Sequence, residues 1–151
     1  MKRTFLITLM LWIIAGLANA ISVSTGTITV AKQGRSDTIN RLTIDWLSDA
    51  SGNGLATVTE LSGTVERVVF NPDDGATSPT ASYDITLTDV DSVDILNGKG
   101  ANLSQTATTS VTAMATDGTT PRPMATSGDL TLTITSAGAA RGGIIRIYFR
   151  R

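Results

Sequence analysis

The loop Asp49-Ala50-Ser51-Gly52-Asn53-Gly54, with Glu60 beyond it, carries the sharpest chemical pattern in the chain. An EF-hand calcium loop uses oxygen-bearing side chains at its first, third and fifth positions, a glycine at the sixth and a glutamate at the twelfth. The glycine makes the sharp turn and the glutamate closes the shell with two oxygens. On that reading Asp49, Ser51, Asn53 and Glu60 would hold Ca2+. The third position is Ser51 rather than Asp, and Ala56 stands where a bulky apolar residue is usual. The flanks alternate like strands, not helices. The simpler reading is a polar hairpin loop built from turn formers.

Asp89, Asp91 and Asp94 form a second acidic cluster, with Asp84 close in sequence. Hard cations favour such groups, and two carboxylates can also act as acid and base, as in glycosidases. The plainer account is an Asp capping the turn after a strand, with its neighbours on a solvated face. Trp46 could serve as a sugar platform if exposed. It shares the alternating face of Leu42 and Ile44, which assigns it to a core. Arg141, Arg146, Arg150 and Arg151 gather near the C-terminus, where they could meet acidic groups of a neighbouring subunit or stand in solvent. Gly138 and the Gly142-Gly143 pair precede a strand rather than a helix, so no dinucleotide fingerprint is present. The chain contains no histidine and no cysteine. That removes the Ser-His-Asp and Cys-His types of catalytic site and the usual zinc ligands. No catalytic residue is assigned, and an enzyme is not expected.

The elements that would position these residues are strands. Leu42, Ile44 and Trp46 alternate with polar residues, as do Tyr83, Ile85 and Leu87, and Leu130, Leu132 and Ile134. Such segments are half-buried strands of antiparallel sheets. Segments 22–31, 55–61, 64–70, 104–114 and 143–149 read as further strands with less regular alternation, the last of them central and buried on most of both faces. Segments 48–54, 71–79, 97–100, 116–127 and 136–143 are rich in turn formers. Asp89 to Asn97 has Val90, Val93 and Leu96 at helical spacing and is expected to form a helical turn. The expectation is an all-β fold: a single antiparallel β-sandwich or small barrel of about seven to eight strands, preceded by a signal-peptide helix. A membrane barrel would need girdles of aromatic residues, and only 5% of this chain is aromatic.

The chain opens with Lys2 and Arg3, an apolar run from Phe5 to Leu17, and Ala18-Asn19-Ala20. That is the layout of a cleavable secretory signal, with residues 1–20 removed and 21–151 forming one domain. Whole, the chain has 12 basic and 13 acidic residues; without Lys2 and Arg3 it has 10 and 13, a net charge of −3. Such a balance gives no footprint for nucleic acid. The expected location is the periplasm or the medium, with no stable membrane span after cleavage.

Several stretches taken together resemble a known group. They are Leu42–Gly54, Gly63–Pro72, Tyr83–Asp89, Asp94–Asn102, Asp129–Leu132 and Ala137–Gly143. In this order they resemble short structural proteins of tailed bacteriophages and prophages. The resemblance implies a non-enzymatic, head-decoration or tail-associated part that acts through protein–protein contacts, packing against copies of itself or a virion shell. It carries no functional residue with it. The leader departs from that pattern and favours the alternative, a secreted or periplasmic bacterial protein that binds a surface, a glycan or calcium.

Overall fold

The computed structural model describes residues 21–35, 39–59, 61–113 and 119–151. The expected leader, residues 1–20, lies outside them. The chain folds into two antiparallel sheets packed face to face. The strands are β1 (Ile21–Thr25), β2 (Thr27–Arg35), β3 (Asn40–Leu47), β4 (Gly54–Val58), β5 (Gly63–Pro72), β6 (Asp84–Thr88), β7 (Thr109–Thr112), β8 (Met124–Thr126), β9 (Leu130–Thr135) and β10 (Gly142–Arg150). The smaller sheet has the order β1-β4-β9-β6. The larger has the order β2-β3-β10-β5-β7, with β8 also paired to β5. The all-β expectation therefore resolves to a sandwich, not a barrel.

The alternating sets do what their pattern demands. Leu42, Ile44 and Trp46 of β3, Ile85 and Leu87 of β6, and Leu130, Leu132 and Ile134 of β9 all point into the space between the sheets. Ile145, Ile147 and Phe149 of β10 join them. β10 is central in its sheet, as expected, but only that one face is fully buried; Ile144, Arg146 and Tyr148 are half-buried on the other. In β5, Val65 and Val68 are both buried although three residues apart. A regular strand cannot do this. The pairing with β10 slips at Tyr148/Phe149, so Glu66 is an extra residue, a bulge that turns both valines inward. This explains the irregular alternation of that segment.

Among the described residues, ten strands replace the expected seven or eight for two reasons. The first strand is broken at Gly26, whose φ is 74°. The chain crosses there from the smaller sheet to the larger, so β1 and β2 are edge strands of different sheets. A Cβ at Gly26 would stand 2.4 Å from the Leu47 carbonyl oxygen, so only glycine fits the crossing. The second reason is β8, a short strand inside a segment rich in turn formers. Of the expected strand 104–114, only Thr109–Thr112 pairs, and Met114 lies outside the described residues.

The expected helical turn at Asp89 to Asn97 is not formed. The segment is a succession of tight turns, closed by Ser92 N–H to Asp89 O at 3.0 Å and Asn97 N–H to Asp94 O at 2.9 Å. Val90 and Val93 stand exposed, so the helical spacing had no apolar stripe to bury. The loop 48–53 is not a hairpin either. It carries the chain from β3 in one sheet to β4 in the other, and 136–141 does the same between β9 and β10. Ser48 fastens the two crossings: its hydroxyl donates to Gly138 O at 2.6 Å and accepts from Arg141 N–H at 3.0 Å. Among the described residues no helix is long and apolar enough to cross a membrane.

Candidate binding face

The two acidic loops singled out by sequence turn out to be one piece of geometry used twice. Asp49 Oδ1 accepts from Ser51 N–H at 2.8 Å and Asn53 N–H at 2.9 Å. Asp89 Oδ1 accepts from Asp91 N–H at 3.0 Å and Val93 N–H at 2.9 Å. In each loop the Asp N–H donates to the carbonyl four residues on, at 2.8 Å and 3.0 Å. In each, the fourth residue has positive φ: Gly52 at 82° and Ser92 at 63°. The Asp side chain stands in for backbone and satisfies donors that the turn leaves unpaired. Glycine suits that fourth position and serine does not. Ser92→Gly is expected to stabilise the chain by about 0.5 kcal/mol, because relief of about 1–2 kcal/mol of left-handed strain exceeds glycine's larger entropy loss. A urea titration with unchanged slope would measure it, and a loss of stability would contradict the shared geometry.

Asp94 does different work. Its Oδ1 accepts from Leu87 N–H at 3.2 Å and Leu96 N–H at 3.1 Å, and its Oδ2 from Gly98 N–H at 2.9 Å. Asp84 Oδ1 accepts from Asn102 N–H at 2.8 Å. Asp91 is exposed, as is Ser51, while Asn53 is half-buried. Glu60 lies outside the described residues. Among the described residues, no three Asp or Glu side chains are grouped so as to hold a metal ion. Trp46 is a core residue, 2% exposed, with its ring centroid 5.8 Å from that of Tyr83. Burial pushes the Tyr83 hydroxyl pKa up to about 12, so it stays neutral.

The outer faces of the two sheets differ in kind. On the smaller sheet, cross-strand neighbours place Thr57 beside Thr131 and Thr131 beside Thr88, with Thr133 beside Thr86 in the next row. The larger sheet is charged and aromatic. Tyr148 at its centre is flanked by Arg41 on β3 and Arg67 on β5. The Arg67 guanidinium lies 4.4 Å from the Tyr148 ring centroid. One row along, Arg146 stands between Thr43 and Val69. Arg150, at the strand end, binds Glu66 at 3.0 Å. The row beyond Arg146 holds Asp45, Ile144 and Asn71, and Asp73 follows at the end of β5. Asp73 is raised above the usual carboxylate range by burial first, then by the Asp45 and Asp74 charges, against a hydrogen bond from Thr77. The face is thus basic at one end and acidic at the other.

Of the four C-terminal arginines, only Arg146 belongs to the middle of this face. Arg141 bends away to donate to Ala76 O, and Arg151 lies by the Phe149 ring. Arg41, Arg67 and Tyr148 were not singled out by sequence. Their polar-side positions in alternating strands were readable; what brings them together is the β3-β10-β5 register, which no local pattern encodes.

No family model matches the chain, and no curated protein does. The likeness to phage structural proteins rests on the sequence segments alone. Among solved structures, one described as "Structural basis for the promiscuous specificity of the carbohydrate-binding modules from the beta-sandwich super family" aligns at 14% identity and a TM-score of 0.35. It covers 87% of this chain and 56% of that one, so the present chain spans little more than half the other's length. The alignment assigns no residue of the present chain a role.

Proposed function

We propose that this chain is an exported, non-enzymatic binding module that works through the outer face of its larger sheet. The observation that carries this reading is the row Arg41–Tyr148–Arg67 with Arg146 beside it. Tyrosine and arginine are the residue types that supply most contact energy at binding surfaces. Here they sit on rigid, centrally paired strands rather than on loops. Planar guanidinium groups about 10 Å apart, two strand spacings, suit carboxylates borne on an extended polymer or surface. The absence of histidine and cysteine from the whole sequence leaves the face without the usual groups for general-base or nucleophilic chemistry.

The test is retention on an immobilised polyuronate compared with a neutral glucan. Retention is expected on the acidic polymer only, falling as salt rises. Arg67→Glu and Tyr148→Ala should each reduce it at least tenfold, while Thr131→Ala on the smaller sheet should leave it unchanged. Equal retention of all three variants would remove the larger sheet from the reading.

A further inference from the structure

The same face carries both signs of charge, separated along the strands, and an acidic ligand accounts for only the basic half. We infer that the outer face of the larger sheet pairs with the same face of a second copy, related by a two-fold axis running across the strands at the level of Phe70 and Ile145. This rests on the reading above that the larger sheet is the contact surface.

Phe70 and Ile145 are cross-strand partners, so the axis meets β5 and β10 at one level. Arg67 and Asp73 lie three residues to either side of Phe70 on β5. Rotation about that axis brings Arg67 of one copy over Asp73 of the other, and Asp73 over Arg67, in two equivalent pairs. On β10 the same rotation places Tyr148 over Gly142 of the other copy. Gly142 is buried and projects no side chain, with Trp46 O and Asp73 Oδ2 already closed over its α-carbon, so the tyrosine of one copy rests on backbone beside the Asp73 carboxylate of the other. Arg146 comes over Ile144 of the second copy, whose cross-strand neighbour is Asp45. Among the described residues Arg146 and Asp45 make no ion pair within one chain, and the two-fold sets them close enough to make it between chains. Two sheets whose strands run nearly antiparallel is the ordinary aligned packing, within about 30°.

The charge environment fits. Asp73 is partly desolvated and faces Asp45 and Asp74. A guanidinium from a second copy supplies the positive charge that end of the face lacks. Four strands about 4.8 Å apart and about 25 Å long, with the short β7 at the edge, give about 500 Å² per copy, or about 1,000 Å² in all, the lower limit for a specific interface. The pair should therefore be reversible and salt-sensitive.

Charge reversal tests it on the full chain by sedimentation over a concentration series in low salt. A two-copy species is expected. Arg67→Asp alone and Asp73→Arg alone should each weaken it at least tenfold by setting like charges opposite each other. The double variant should restore it, because both copies then carry the exchanged charges. Since restoration requires a folded chain, it also answers whether the single variants merely unfold. A monomer throughout the series, a dimer that survives both single reversals, or a double variant that stays monomeric would each overturn the second copy as partner. Asp73→Arg leaves the arginine row intact, so its retention on the polyuronate separates the two readings. A wild-type chain that stays monomeric while Asp73→Arg is retained removes only the second copy, whereas a dimeric wild type whose Asp73→Arg variant is not retained removes only the acidic polymer.

Discussion

Asp94→Ala is expected to lower stability by about 3–4 kcal/mol, measured by urea unfolding, because one carboxylate satisfies three backbone N–H groups and charged hydrogen bonds of this kind contribute about 1.5–3 kcal/mol each, not additively. The position matters as much as the count. Segment 94–103 runs along the outer edge of β6. Ile95 N–H donates to Leu87 O at 2.9 Å, Ile85 N–H to Gly100 O at 2.8 Å, and Leu103 N–H to Tyr83 O at 2.9 Å. Ile95 and Leu96 are fully buried beneath it. Asp94 is the clamp at one end, and Leu87 N–H is the edge group it satisfies. Its removal should speed hydrogen exchange at Ile85 and Leu87 before the rest of the smaller sheet. Asp94→Asn keeps an acceptor of similar shape and should lose about half as much. A change of under about 0.5 kcal/mol for the alanine would mean the segment is held by its apolar side chains alone.

Gly26→Ala comes second, with an expected loss of about 2–4 kcal/mol. Left-handed backbone costs a non-glycine residue about 1–2 kcal/mol, and the new methyl group must also displace the Leu47 carbonyl. That carbonyl belongs to β3, a rigid inner strand, so the crossing segment is what gives way. The loss should appear as faster exchange in β1 and β2, with β9 and β10 protected as before. An unfolding transition that moves while β1 and β2 keep their protection would place the damage elsewhere.

What sequence made legible here was whatever depends on period two. The faces of β3, β6 and β9 and the core placement of Trp46 followed from alternation. It failed where a single residue changes the register or the sheet. Glu66 as a bulge and Gly26 as a crossing leave no mark in hydrophobic pattern, since both depend on the strand opposite. The loops 48–53 and 136–141 had turn composition, and composition does not say whether a turn returns to its own sheet. The acidic clusters were read for the groups they could offer a cation. The backbone donors that occupy Asp49, Asp89 and Asp94 appear only after folding. The charged row on the larger sheet was hidden for the same reason: Arg41, Arg67 and Arg146 are far apart in the chain and adjacent only through β10.

The central strand of the larger sheet, β10, is made after every strand it joins. β3 and β5 cannot be bridged until β10 arrives, and the core face of the larger sheet is incomplete without Ile145, Ile147 and Phe149. Partners this distant in sequence close slowly, because the connecting chain must be ordered first. Through most of synthesis, therefore, the larger sheet cannot form. Completion of the fold is deferred until β10 has been made. Loss of β10 should then leave no larger sheet at all, rather than a trimmed one.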